Sequence, residues 1–192
     1  MNPPIGLPNN GGNCFFNSLT QCMRALGELP DPNLNKILQN NPELSGGNQC
    51  LDEFFYKYVD MEKLEKYFKI SFRNKDTDIV FRVIGNVPNT NAMWLDMIKR
   101  EILKFNPYVV FYLTNQIFHH QQVYYPQLII IPKYYTFELI AVARHSGNMN
   151  GGHWWADVKI DNKVYNCNDS SISPGSLECN STSTILFYKV KL

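Results

Sequence analysis

The sequence lacks the features that define several large classes of protein. Its five cysteines form no C-x-x-C pair, which argues against a zinc site and against a disulfide framework. No basic block exceeds two adjacent residues and the net charge is +1, so nucleic-acid binding has no electrostatic basis. The uninterrupted apolar runs are far too short to span a bilayer. The N-terminus is rich in Pro and Asn and lacks the pattern of a signal peptide.

The composition is that of a globular protein. Of the 192 residues, 44% are hydrophobic and 18% are charged, which is sufficient for one domain with a core. Unpaired cysteines in odd number suit a reducing compartment, so we expect an intracellular protein of the cytoplasm or nucleus, including that of a host cell. We expect a monomer with no cofactor, no metal, no nucleic-acid partner and no membrane partner.

The first half of the chain has the apolar periodicity of helices, and the second half has that of strands. Helical stripes follow Cys14, run from Leu51 to Phe68, and run from Ala92 to Phe105. Strands are predicted at Tyr108–Leu113, Gln127–Ile131, Thr136–Arg144, Trp154–Ile160, Lys163–Cys167 and Thr184–Lys191, with a hairpin turn at Asp161-Asn162. This order predicts a single α+β domain, mainly helical over residues 1–106 and mainly antiparallel β over residues 107–192, with a cleft between the two parts.

Cys14 follows a turn rich in Gly and Asn and precedes the first helical stripe. A helix N-terminus favours negative charge, so this position predicts a lowered thiol pKa and a reactive thiolate. A buried, inert cysteine is the alternative, because cysteine is among the most frequently buried residues. The choice depends on whether the rest of the chain supplies a base.

The four histidines differ in what surrounds them. His119 and His120 lie in a polar stretch and are predicted to belong to a solvated loop. His145 ends a strand and has no polar partner in the opposed register. His153 begins a strand whose hairpin partner returns Asn168 and Asp169 alongside it, within reach of its ring. A general base needs such an orienting group, so His153 is the predicted base.

These residues together resemble the ubiquitin-specific protease family of cysteine peptidases. Residues 6–18 resemble the family's Gly-Leu-x-Asn-x-Gly-x-x-Cys-(Tyr/Phe)-x-Asn-Ser box, and residues 152–159 resemble its Gly-His-Tyr-x-x-Tyr-x-Lys box. Residues 168–172 resemble (Asp/Asn)-Asp-x-x-Val, and residues 49–55 are a weaker likeness to Gln-Asp-Ala-x-Glu-Phe-Leu. The zinc-binding fingers insertion that many members carry is missing here.

The resemblance implies a papain-like fold with a helical thumb lobe and an antiparallel β palm lobe. It makes Cys14 the nucleophile, His153 the base, and Asn9 the side-chain donor to the oxyanion. Asn168 is the implied orienting residue with Asp169 as its neighbour, and the spacing leaves open which of the two is the third catalytic residue. The implied substrate-binding residues are Asp52, Glu53, Gly152 and Trp154, with the two carboxylates placed to bind the basic ubiquitin tail. Stabilisation of a helix N-terminus is the alternative for Asp52 and Glu53, and a core position is the alternative for one of Trp154 and Trp155.

The activity implied is hydrolysis of isopeptide or peptide bonds after the C-terminal Gly-Gly of ubiquitin, through a Cys14 acyl-enzyme. The partners implied are ubiquitin, or a ubiquitin-like modifier, and its conjugates. Three alternatives remain at this stage. The chain could process another ubiquitin-like modifier, or cut a polyprotein as viral papain-like endopeptidases do. It could also be a ubiquitin-binding module without activity, which the intact set of Cys14, His153 and Asn168 argues against.

Overall fold

The structure is a computed structural model of the 192-residue chain. It describes residues 3–9, 12, 14–26, 79–101, 108–113, 115–133, 135–148 and 152–191. The helices of these residues are α1 (Cys14–Leu26), α2 (Asn91–Glu101) and α3 (Gln116–His119). Their strands are β1 (Ile79–Ile84), β2 (Tyr108–Leu113), β3 (Leu128–Ile131), β4 (Tyr135–Ser146), β5 (His153–Ile160), β6 (Lys163–Asn168), β7 (Ser171–Pro174) and β8 (Ser183–Lys191).

The strands form one mixed sheet that is mostly antiparallel. Its order is β1-β2-β8-β4-β5-β6-β7, and β3 pairs with the first part of β4. Only β1 and β2 run parallel among the described strands. The class is therefore α+β, with a sheet larger than the second half of the sequence alone predicts.

Both faces of the sheet are covered, and the core lies in two layers. Helix α1 packs on one face, where almost all of its residues are buried. Trp94 of α2 and Tyr125 cover the other face. All six residues of β2 are buried because alternate side chains enter each layer. A strand buried on both faces has a continuous apolar sequence, and the sequence of Tyr108–Leu113 is of this kind.

An irregularity in β4 changes which of the two core layers its side chains enter. The pairing with β8 shifts register between Leu139 and Ala141. Phe137 and Leu139 belong to the layer of Trp94, whereas Ala141 and Ala143 belong to the layer of α1. A bulge of this kind inserts one extra residue, so alternate side chains after it point to the opposite face of the sheet. Small alanines consequently lie beneath α1.

Most of the described elements agree with the sequence predictions. Helix α1, helix α2 and the six predicted strands are confirmed to within two residues at the ends that the structure describes. The turn at Asp161-Asn162 is confirmed, with φ of 48° and 67°, values that a two-residue hairpin loop requires. The predicted helix over residues 51–68, with Asp52 and Glu53, lies outside the described residues.

Three described elements were not predicted. Strand β1 lies in the half predicted to be helical, although its β-branched run joins the sheet beside β2. Strand β7 is a short, polar edge strand without an apolar alternation. Helix α3 is a single turn, too short for a periodic pattern.

None of the described helices has the length and apolar character that crossing a membrane requires.

A buried ion pair ties the loop before β8 to the centre of the sheet. Arg144 and Asp157, which are 2% and 5% exposed, pair across β4 and β5. The Arg144 guanidinium also donates to Ser176 O, Glu178 O, Asn180 Oδ1 and Ser183 Oγ at 2.8–3.0 Å. This one side chain therefore satisfies acceptors along the whole of that loop.

We predict that Arg144→Met lowers the free energy of unfolding by about 3–5 kcal/mol, because it leaves a buried carboxylate without its partner. The matched control is Lys159→Met, which breaks a partly exposed ion pair between the same two strands, with side chains 25% and 23% exposed, and should cost less, about 1 kcal/mol. Urea denaturation at constant m-value measures both. Equal losses would show that the Arg144 pair adds nothing beyond a surface contact.

Candidate active site

The first residue of α1 is Cys14, and the helix presents it to the start of β5. The backbone N–H of Trp154 donates to the Cys14 sulfur. The ring of Phe15, the next residue in the helix, meets the Trp154 ring edge-on at 5.1 Å between centroids. Because Trp154 follows His153 directly in β5, this packing brings the helix N-terminus to the predicted base.

The Cys14 thiol is buried, and its pKa is raised rather than lowered. Burial is the largest cause, and the nearby Asp169 carboxylate adds to it. Backbone N–H groups of Trp154, Phe15 and Cys14 act in the opposite direction, as a helix N-terminus should. The sequence prediction of a lowered thiol pKa is therefore wrong in sign, because burial outweighs the backbone donors. The thiol is protonated at neutral pH.

His153 and Asn168 form the pair that the hairpin predicts. His153 Nε2 lies 2.7 Å from Asn168 Oδ1. Because a carbonyl oxygen only accepts, Nε2 is the donor in this contact, and Nδ1 lies on the other side of the ring. The Trp155 ring stacks beside His153 at 5.9 Å and 20°, which limits the ring's rotation.

Asp169 follows Asn168 in the chain, but its carboxylate binds a different part of the site. Its Oδ2 accepts from Asn9 Nδ2 at 3.2 Å, and its Oδ1 accepts from Asn17 Nδ2 at 2.9 Å. Asn9 Oδ1 in turn accepts from the backbone N–H of Gly12 at 3.0 Å. The Asn9 amide is therefore held at both of its polar ends.

The segment before Cys14 lies directly on the turn that contains Asp169. The Leu7 N–H donates to Asp169 O at 2.8 Å. A side chain at Gly6 would overlap the backbone of Ser170, so this close approach requires glycine. The first residues of the chain and the β6–β7 turn thus form one wall of the site.

The predicted substrate-binding residues Gly152 and Trp154 are placed by their packing. Trp154 is 7% exposed and lies between Phe15 and His145, with 4.8 Å between the His145 and Trp154 ring centroids. A Cβ at Gly152 would overlap Nε2 of His145. Trp154 therefore has the core position that the sequence left open for one of the two tryptophans, and Gly152 has a packing role that the sequence did not indicate. Their contact with a substrate stays a prediction.

His120 and His145 form a stacked pair beneath the site. Their rings lie 5.1 Å apart at 15°, and His120 Nε2 is 3.0 Å from His145 Nδ1. The prediction of a solvated loop is wrong for His120. His145 lies opposite Trp154 in the β4–β5 register, so no polar residue faces it there, as predicted, but it has a polar partner outside that register in His120. The two are 25 residues apart, so no local signal in the sequence links them. Burial lowers the pKa of His145 to about 4, with His120 and then His153 contributing.

No group of three or more His, Cys, Asp or Glu residues in the described ranges is arranged to hold a metal ion. The described cysteines 14, 22, 167 and 179 are free thiols. The chemistry of the described site is that of a thiol, an imidazole and amide donors.

The chain belongs to the ubiquitin carboxyl-terminal hydrolase family, whose family model matches residues 39–188. The matched range includes His153, Asn168 and Asp169, while Asn9 and Cys14 precede it. Ubiquitin carboxyl-terminal hydrolase 10 of Arabidopsis thaliana is 42% identical over 59 residues, which is 29% of this chain and 6% of that relative. The similarity thus spans a small fraction of the relative's length.

Solved structures show the same fold at low sequence identity. The SAGA Ubp8/Sgf11/Sus1/Sgf73 DUB module bound to ubiquitin aldehyde aligns with 98% of this chain and 70% of that chain, at 14% identity and a TM-score of 0.63. The module bound to monoubiquitin aligns with 98% and 69%, at 15% identity and the same TM-score. The fold is therefore that of a papain-like cysteine peptidase.

We predict that Asp169→Asn speeds alkylation of Cys14 by iodoacetamide at a fixed pH near neutrality. The Asp169 carboxylate raises the pKa of the Cys14 thiol, so its neutralisation lowers that pKa and increases the thiolate fraction. The measurement is the alkylation rate against pH, with mass spectrometry to identify the modified cysteine. A slower rate in the variant would contradict the prediction.

We also predict that His145 makes the protein less stable in acid. An unfolded histidine protonates near pH 6.5, whereas folded His145 protonates near pH 4, so the unfolded state binds more protons between these values. The free energy of unfolding should therefore fall as the pH is lowered from 6.5 to 4. His145→Gln should flatten this fall in thermal melts, and His119→Gln, at an exposed position, should keep it. Parallel melting curves for His145→Gln and wild type would refute the assignment.

Proposed function

We propose that this chain is a cysteine-type deubiquitinase that hydrolyses isopeptide and peptide bonds after the C-terminal Gly-Gly of ubiquitin. One observation carries the proposal. The start of β5 contributes both the Trp154 N–H that binds the Cys14 sulfur and the His153 ring that pairs with Asn168. Membership of the ubiquitin carboxyl-terminal hydrolase family supplies the substrate class.

In the proposed reaction, His153 acts first as a base and then as an acid. Because the Cys14 thiol is protonated, Nδ1 of His153 takes the proton as the sulfur attacks the carbonyl after Gly-Gly. The imidazolium then protonates the leaving lysine amine, and water hydrolyses the resulting acyl-enzyme. Asn168 holds the ring through Nε2, and as a neutral amide it orients the ring without adding charge.

The oxyanion is assigned to Asn9 and the backbone N–H of Cys14. Loss of one such donor typically costs roughly 10²–10³ in kcat. The contacts of Asp169 with Asn9 and Asn17 support a role for its carboxylate on this oxyanion side, while the contact of Asn168 supports its role beside the base. In this proposal Asn168 is the third catalytic residue, and Asp169 is a positioning residue.

The two-lobe arrangement, with a helical thumb and a β palm, is part of the same proposal. The ubiquitin tail would run between the lobes past Gly152 and Trp154, with Asp52 and Glu53 facing its basic residues. The sequence places the lobe boundary near residue 106. Strand β1 pairs with β2 in the sheet, which favours a boundary before Ile79. Free thiols at the described cysteines support action in a reducing, intracellular compartment.

Propargyl-activated ubiquitin tests the proposal directly. Wild type should form a covalent adduct that is stable in denaturant, since a thiol placed at the tail's end captures the alkyne. Cys14→Ala should form none, while Cys22→Ala, which removes a buried thiol of the same helix, should retain the adduct. No adduct in wild type would exclude the proposed activity. Probes built on other modifiers ending in Gly-Gly separate ubiquitin from ubiquitin-like substrates.

A further inference from the structure

We propose that Asn17 is a positioning residue for the reaction, which holds the Asp169 carboxylate so that this carboxylate aims the Asn9 amide at the oxyanion. The inference rests on the proposed function, because it assigns Asn17 to the oxyanion side of that same site.

The position of Asn17 allows it to link three parts of the site. It lies in α1 three residues after Cys14 and is 2% exposed. Its Nδ2 is 2.9 Å from Asp169 Oδ1, 3.2 Å from Pro8 O and 3.3 Å from Leu7 O. The shortest of these contacts is the one to a carboxylate, and hydrogen bonds to charged acceptors are the strongest of this kind. The helix that carries the nucleophile therefore also holds Asp169.

Asp169 lies at a turn with its backbone in the left-handed region, with φ of 49°. Each of its carboxylate oxygens has its own amide donor, with Asn17 on Oδ1 and Asn9 on Oδ2. A carboxylate is planar, so fixing Oδ1 fixes the direction in which Oδ2 points. Removal of the Asn17 amide would let the carboxylate rotate and would loosen Asn9.

A simpler role for Asn17 is to tether the N-terminal segment through the carbonyls of Leu7 and Pro8. The chain offers a matched comparison in Gln21, one turn later in α1 and 3% exposed. Gln21 Nε2 donates to Ile5 O at 2.7 Å and so tethers the same segment. The described hydrogen bonds of Gln21 do not include Asp169. A variant of Gln21 therefore measures what loss of a tether alone does.

Two reactions of Cys14 distinguish an effect on oxyanion stabilisation from an effect on the thiol and its base. Hydrolysis of a ubiquitin C-terminal amide passes through a tetrahedral oxyanion. Alkylation by iodoacetamide forms a C–S bond and breaks the C–I bond, with iodide leaving and the thiol proton going to His153 or solvent, and no oxyanion develops. Loss of Asn17 should therefore slow hydrolysis and leave alkylation as it was.

The experiment compares wild type, Asn17→Ala, Gln21→Ala and Asn168→Ala. It measures kcat and KM on ubiquitin carrying a C-terminal fluorogenic amide, the alkylation rate against pH, and the melting temperature. We expect Asn17→Ala to lower kcat about 10–10²-fold, a part of what loss of an oxyanion donor costs, with KM and the alkylation profile close to wild type. Gln21→Ala should keep kcat near wild type, whereas Asn168→Ala should change the alkylation profile.

Asp169→Ala and the Asn17→Ala/Asp169→Ala double variant complete the test. If Asn17 acts through Asp169, the double variant loses no more in kcat than Asp169→Ala alone, because coupled residues are not additive. Asn17→Leu, of similar volume, replaces Asn17→Ala if the latter does not fold.

Three results would overturn the inference. They are an unchanged kcat in Asn17→Ala, a parallel loss of hydrolysis and alkylation, and additive penalties in the double variant. Wild-type protein that alkylates normally but cleaves no ubiquitin substrate would overturn the proposed function as well. This outcome distinguishes a failure of the proposed function from a failure of the Asn17 inference, because each of the other three results requires a wild-type protein that is active.

Discussion

The packing of α1 on the sheet at the start of β5 is the contact on which the site depends. Phe15 meets Trp154 edge-on, and the Trp154 N–H reaches the sulfur of Cys14. The catalytic candidates come from opposite ends of the sequence, 139 positions apart in numbering, and no local element connects them. The apolar burial that covers the sheet is thus also what brings the start of α1, with Cys14, to the start of β5, which begins with His153. Small residues of β4 beneath the helix permit this close approach.

A second organising feature is the turn between β6 and β7, where two adjacent residues serve different sides of the site. Asn168 pairs with His153, and Asp169 pairs with Asn9 and Asn17. Asp169 has a left-handed backbone in this turn, and its side chain contacts different groups from that of Asn168. Two neighbouring residues of this turn therefore bind separate groups. The amino-acid spacing alone does not show which of the two binds which group.

The sequence predicted the parts of the structure that depend on local pattern. Helix α1 was predictable from its apolar spacing, and β2 was predictable from its apolar run. The placement of Asn168 and Asp169 beside His153 followed from one hairpin whose turn has a strong signature, whereas the choice of Asn168 as the partner came from the structure. The direction of the pKa shift of the Cys14 thiol was not predictable from the sequence, because it depends on how deeply the helix N-terminus is buried. The stacking of His120 on His145 depends on contacts between distant segments.

The buried, protonated state of Cys14 has a consequence for the chemistry of the resting protein. Oxidation of cysteine by peroxide follows thiolate character and exposure, and Cys14 has little of either. In the proposed function, this burial protects the candidate nucleophile from conversion to sulfenic or sulfinic acid while no substrate is bound. In the proposed mechanism, reactivity arises when His153 removes the proton during attack, so the burial that makes the thiol a weak free nucleophile also preserves it between turnovers.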